Sequence, residues 1–102
     1  MAKLEVKNGS LHIDGKKVIR AWESYSGWYW FATEKVEERK IGSKTGGSII
    51  DGKEVSDTIW FGFVQGLDDE WGYLSQAELE SLKGRVWEIK QRDLVHSGRR
   101  NG

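Results

Sequence analysis

SGWYWFATEK, residues 26–35, sets four aromatic rings in a row: Trp28, Tyr29, Trp30 and Phe31. A strand is predicted from Trp28 to Val36. Side chains alternate along a strand, so Trp28, Trp30 and Ala32 point one way and Tyr29, Phe31 and Thr33 the other. A second strand is predicted from Thr58 to Gly66. It puts Ile59, Phe61 and Phe63 on one face and Trp60, Gly62 and Val64 on the other. Both strands are apolar on both faces. Either they lie centrally in a sheet covered on two sides, or one face meets a partner. A barrel meets the same difficulty, because its outside should be polar. Gly62 and Gly66 mark a bulge, or room for a large ring from the neighbouring strand.

Lys3 to Lys7 alternates apolar and polar and reads as a strand. Asn8-Gly9 is a turn signal. Leu11 to Ile19 reads as a hairpin closed by a type I′ turn at Asp14-Gly15. A short strand at Gly72 to Leu74 follows the turn 67–70. Ser75-Gln76-Ala77-Glu78 is a capping box, and Leu74 and Leu79 have the spacing of a hydrophobic staple. The helix is predicted over 76–83 and ends at Gly84, which can take the left-handed conformation. Val86 to Lys90 reads as a last strand. In a regular strand Trp87 and Ile89 share a face. Residues 37–57 form a polar, Gly-rich excursion, read as an extension of the long hairpin or as a loop. Residues 96–102 read as a frayed tail.

The chain has 102 residues, the size of one domain. The fold class is therefore α+β: a small, mostly antiparallel sheet, open or curled towards a barrel, with one short capped helix. Hydrophobic residues make up only 37%, so the core must lean on the twelve aromatics.

Several chemistries are excluded or left without a signal. The chain has no Cys, which removes disulfides, thiolate metal sites and a Cys nucleophile. That absence fits a cytoplasmic location. The N-terminus has no apolar signal-peptide core, and no stretch is long and apolar enough for a membrane helix. His12 and His96 lack a local metal partner. No metal site, cofactor or catalytic residue is expected. Glu34, Glu70, Glu78 and Asp93 are the carboxylates set beside predicted elements, and Asp68-Asp69-Glu70 reads as a solvated turn.

Net charge is zero but unevenly spread. Residues 1–53 carry ten basic and seven acidic groups, residues 54–82 seven acidic and no basic, and residues 83–102 six basic and two acidic. The zero sum weakens any general attraction to polyanions.

The order Trp28-x-Trp30-Phe31-x-Thr33-Glu34, Phe61-Gly62-Phe63-Val64-x-Gly66, Glu70-x-Gly72-Tyr73-x-Ser75-x-x-Glu78-Leu79-Glu80 and Arg92-Asp93-Leu94 resembles a family of small bacterial proteins known only as a domain of unknown function. The resemblance covers about residues 28–94. It implies a mobile-element setting, on plasmids, conjugative elements or phages. It brings no catalytic residue. The chain departs from the family pattern at the 37–57 excursion, at Leu74 where Phe is favoured, at Trp71 where Leu is common, and in its N-terminal hairpin.

Three functions are then open. The first expectation is a protein-interaction module, with an unknown partner or a second copy of the chain meeting the aromatic face, an edge strand or the acidic stretch 54–82. The alternative is a nucleic-acid-binding accessory protein that stacks bases on Trp28, Tyr29, Trp30 or Trp60 and uses the basic groups Lys83, Arg85, Arg99 and Arg100. The third is a hydrolase pairing Glu34 with Glu70.

Overall fold

A computed structural model describes residues 2–99. In chain order the elements are β1 (Leu4–Lys7), β2 (Ser10–Ile13), β3 (Lys16–Lys17), β4 (Arg20–Ser24), β5 (Tyr29–Arg39), β6 (Ser48–Ile50), β7 (Lys53–Val55), β8 (Asp57–Gln65), β9 (Asp69–Ser75), α1 (Gln76–Ser81), β10 (Val86–Glu88) and a 3-10 helix (Gln91–His96). The main sheet has five strands in the order β10-β4-β5-β8-β9. Its strand pairs are all antiparallel. β10 and β9 are its two edges, so the sheet is open and the curl towards a barrel does not occur.

The two-faced aromatic strands are central, as one of the two expectations required. Ala21, Phe31 and Phe63 pack on one face against Leu11, Ile13 and Val18 of the N-terminal meander, with Ile89 and Leu94. Trp22, Ala32, Trp60, Leu74 and Val86 pack on the other face with Leu79 of α1. Trp22 is the largest fully buried side chain, 1% exposed. Its indole N–H is buried without a hydrogen-bond partner, and the Arg20 guanidinium lies 5.3 Å from its ring.

The turns follow their residues. Asn8-Gly9, Asp14-Gly15 and Asp51-Gly52 each have both residues at positive φ, between 50° and 81°. A two-residue type I′ hairpin turn needs that conformation. Asp51-Gly52 joins β6 to β7, so the 37–57 excursion is not a structureless loop. β5 runs on to Arg39, opposite Asp57, and a small hairpin folds back beyond it.

Both glycine readings hold. At Gly62 a Cβ would stand 1.9 Å from the Phe31 carbonyl oxygen, beside the bulge between Ala32 and Glu34. The Thr33 hydroxyl donates to the Phe61 carbonyl there, at 3.2 Å. At Gly66 a Cβ would meet the Trp28 ring at 2.5 Å.

Helix α1 has Ser75 as its N-cap, accepting from the Glu78 N–H at 3.2 Å. Leu74 and Leu79 lie in one buried cluster, as a staple requires. Glu78 stays exposed. A second acceptor at the helix start is Asp57, which takes the Ala77 N–H at 2.8 Å. Gly84 takes positive φ just past the helix.

Of the tail predicted at 96–102, His96 is exposed and residues 97–99 make contacts with the fold. Ser97 is buried, and Gly98 lies so close to Leu4 and Phe31 that a Cβ would come within 2.9 Å of each. The side-chain amide of Gln65 donates to the Arg99 carbonyl at 3.1 Å and accepts its N–H at 2.7 Å. Residues 100–102 lie outside the described residues.

Candidate interaction surface

The long strands outreach the meander that covers one of their faces, and the molecule measures 45 × 25 × 25 Å. On that face a row of rings runs from core to solvent. Phe63 packs on Trp71 at 5.3 Å between centroids, Trp71 stacks on Phe61 at 5.8 Å, and Phe61 meets Tyr73 edge-on at 5.5 Å. The register explains the row, because Phe63 pairs with Trp71 and Phe61 with Tyr73. Cross-strand aromatic pairs of this kind stabilise a sheet by roughly 0.2–1 kcal/mol each. Phe63 is buried, Phe61 and Trp71 are half-buried, and Tyr73 is 72% exposed. Lys16 of β3 lies over the middle of the row, its Nζ 4.8 Å from the Trp71 ring centre and 5.6 Å from that of Phe61.

Beyond Tyr73 the uncovered face continues as a groove of 500 Å³ lined by Val36, Ile59 and Tyr73, with Glu37, Arg39 and Glu78 among its polar residues. Arg39 and Glu37 are paired at 2.9 Å. The charges around the row are therefore of both signs and partly neutralised.

β9 carries this surface at a sheet edge. Among the described residues its strand neighbour is β8 alone, and the register between them is unbroken from Asp69 to Ser75. The outer row of β9 N–H and C=O groups has none of the described strands beside it.

The residues singled out from sequence do not gather on one surface. Trp60 is 7% exposed in the helix-side core, and its indole N–H donates to Gln76 Oε1 at 2.9 Å. Trp28 and Trp30 are half-buried, with ring centres 5.9 Å apart. Tyr29 points to the opposite face and stacks on Phe31 at 5.7 Å. Burial, with Glu23 beside it, raises the Tyr29 pKa above its ordinary value. Arg85 is exposed in the turn before β10. Arg99 is engaged with the Gly66 carbonyl at 3.0 Å and with Asp69 at 2.8 Å. Arg100 lies outside the described residues.

The carboxylate pair is not assembled. Glu34 stands opposite Phe61 and Glu70 opposite Val64, which places them on opposite faces of the sheet, both exposed. Among the described residues no group of three or more His, Asp or Glu lies close enough to hold a metal ion. No helix among them is long and apolar enough to cross a membrane.

The exposed ring of the row, Tyr73, was not among the binding residues chosen from sequence. Its signal was present: Trp71 and Tyr73 share a face two residues apart on a strand too short in prediction to show it. No protein-family model matches this chain, and no curated protein or solved structure is similar to it.

Proposed function

We propose that this chain is a non-enzymatic protein-interaction module that offers the outer edge of β9, and the ring row beside it, to another protein chain. The observation that carries the reading is Tyr73, a large ring 72% exposed on a regular edge strand and continuous with the core through Phe61 and Trp71. Tyr and Trp are enriched at the centres of protein interfaces because they bring large, rigid contact area. Unpaired edge groups add backbone hydrogen bonds to that contact.

A nucleic-acid role has less support. It needs exposed rings beside free basic groups, whereas Trp60 is buried and Arg99 already binds Gly66 and Asp69. The charges round the ring row are mixed, which gives little attraction to phosphate. A setting on a plasmid or viral element and a cytoplasmic location complete the proposal. The first rests on the family resemblance and the second on the absence of Cys.

The test is a photo-crosslinking amino acid placed at position 73, and separately at position 25, in the producing cell. Tyr25 is 75% exposed and lies outside the ring row. Protein adducts of defined mass at 73 and none at 25 support the reading. No adduct at 73, equal adducts at both, or adducts of nucleic acid overturn it.

A further inference from the structure

The geometry points to a second copy of this chain as the occupant of the β9 edge. The inference rests on the interaction reading above and names its partner. We infer that two copies pair β9 with β9 antiparallel, about a two-fold axis through Gly72, so that one sheet runs through both.

The first argument is what β9 lacks. Edge strands of monomeric proteins are blunted by brevity, proline, charged side chains (lysine above all) or a bulge. β9 has seven residues, Asp69 to Ser75, with no lysine and no irregularity against β8; its two charges, Asp69 and Glu70, sit at one end, and Asp69 is paired with Arg99. The chain contains no proline at all. The opposite edge, β10, is three residues long.

The second argument is register. Antiparallel pairing centred on Gly72 engages the whole of β9. Trp71 of one copy falls opposite Tyr73 of the other, twice by symmetry, which joins the two ring rows. Aromatic pairs are the favoured cross-strand combination and like charges the unfavourable one. In this register neither acid meets an acid: Glu70 falls opposite Leu74 and Asp69 opposite Ser75. A two-fold interface of this isologous kind is the commonest form of protein self-association.

Gly72 has ordinary backbone geometry, and a Cβ built there, which points out of the sheet, meets no atom within 4 Å. A side chain at this position is therefore accommodated without disturbing β9.

Because the chain has no Cys, one introduced thiol reports this contact directly. Residues directly opposite in an antiparallel pair bring their Cα atoms to about 4.5–5.5 Å, inside the range a disulfide spans. Purified Gly72→Cys is oxidised mildly beside Leu67→Cys, whose position is 91% exposed in the turn before β9. The expected result is a disulfide dimer for Gly72→Cys at protein concentrations where Leu67→Cys stays monomeric. Sedimentation of the unaltered chain should show a monomer–dimer equilibrium, weakened roughly tenfold or more by Tyr73→Lys, which removes two symmetric ring pairs and adds an edge lysine.

A unaltered chain that stays monomeric at millimolar concentration overturns the inference. So does equal cross-linking of the two thiol variants. A different protein cross-linked at position 73 in cells would also overturn self-pairing while leaving the interaction reading in place. No protein adduct there would end both.

Discussion

Ser75 donates its hydroxyl to Oδ2 of Asp57 across 2.5 Å while accepting the Glu78 N–H at 3.2 Å. The same Oδ2 accepts from Ser48 at 2.6 Å, and Oδ1 accepts from the Ala77 N–H at 2.8 Å. One buried carboxylate thus ties β6, the end of β9 and the first turn of α1 to the start of β8. It explains how a six-residue helix, too short to persist alone, is held in place.

Asp57→Ala should destabilise the fold by about 2–4 kcal/mol, because two hydroxyls and a backbone N–H lose a charged acceptor in a buried site. Urea unfolding followed by circular dichroism measures the loss. Amide exchange should rise first in residues 76–81 and in the β6–β7 hairpin.

Asp57 also sets an acid dependence. Burial alone would raise its pKa. Hydrogen bonds from Ser48, Ser75, Ala77 and Thr58 outweigh burial and hold it below the ordinary carboxylate value. A group whose folded pKa is lowered contributes stability that is present above its unfolded pKa and lost as pH falls through the folded one. Stability should therefore decline below about pH 4. Asp57→Asn should be less stable at pH 7 and should show a shallower decline in acid. An unchanged acid slope in that variant would contradict the assignment.

The two strand glycines should differ in cost. A methyl at Gly62 meets the Phe31 carbonyl, which is backbone and cannot step aside. A methyl at Gly66 meets the Trp28 ring, which can turn at its side chain. Gly62→Ala should cost about 3 kcal/mol or more, and Gly66→Ala about 1–3 kcal/mol with a shift in Trp emission as Trp28 moves outward. Thermal unfolding and fluorescence of the two variants check the order.

Gln65 acts as a short strand made of one side chain, pairing both backbone groups of Arg99. Gln65→Leu keeps the bulk and removes that pairing. It should cost about 1–2 kcal/mol and release the Arg99 amide to exchange. Protection at Arg99 that survives the substitution would show that another contact holds the C-terminal segment.

Much of this fold was legible in local chemistry. Asp14-Gly15 forces a type I′ turn, Ser75 must cap, and a central position was one of the two outcomes open to the two-faced apolar runs; the helix stops at Ser81, short of the predicted 76–83, with Leu82 and not Gly84 at its C-cap. β4 was not legible. Ala21 and Trp22 are buried on opposite faces, so Arg20 to Ser24 shows no period-two pattern. The Asp57 hub was hidden because its partners, Ser48, Ser75 and Ala77, meet it only through the tertiary fold. The candidate surface was half-legible. The aromatic richness was plain, but whether a ring ends in core or solvent depends on where the meander stops, and no local pattern encodes that. The fate of Trp60 and of Tyr73 was decided in this way.

The proposed interface is the β9 edge with Tyr73 and Trp71. Hydroxyl-radical footprinting read by mass spectrometry tests it residue by residue, comparing dilute protein with protein concentrated enough to assemble. Tyr73 should be modified rapidly when dilute, with Tyr25 and Trp87, and Trp60 slowly. On assembly Tyr73 and Trp71 become protected while Tyr25 and Trp87 do not. Protection of Trp28 and Trp30 with Tyr73 left open would contradict it and return the interface to the other face of the sheet.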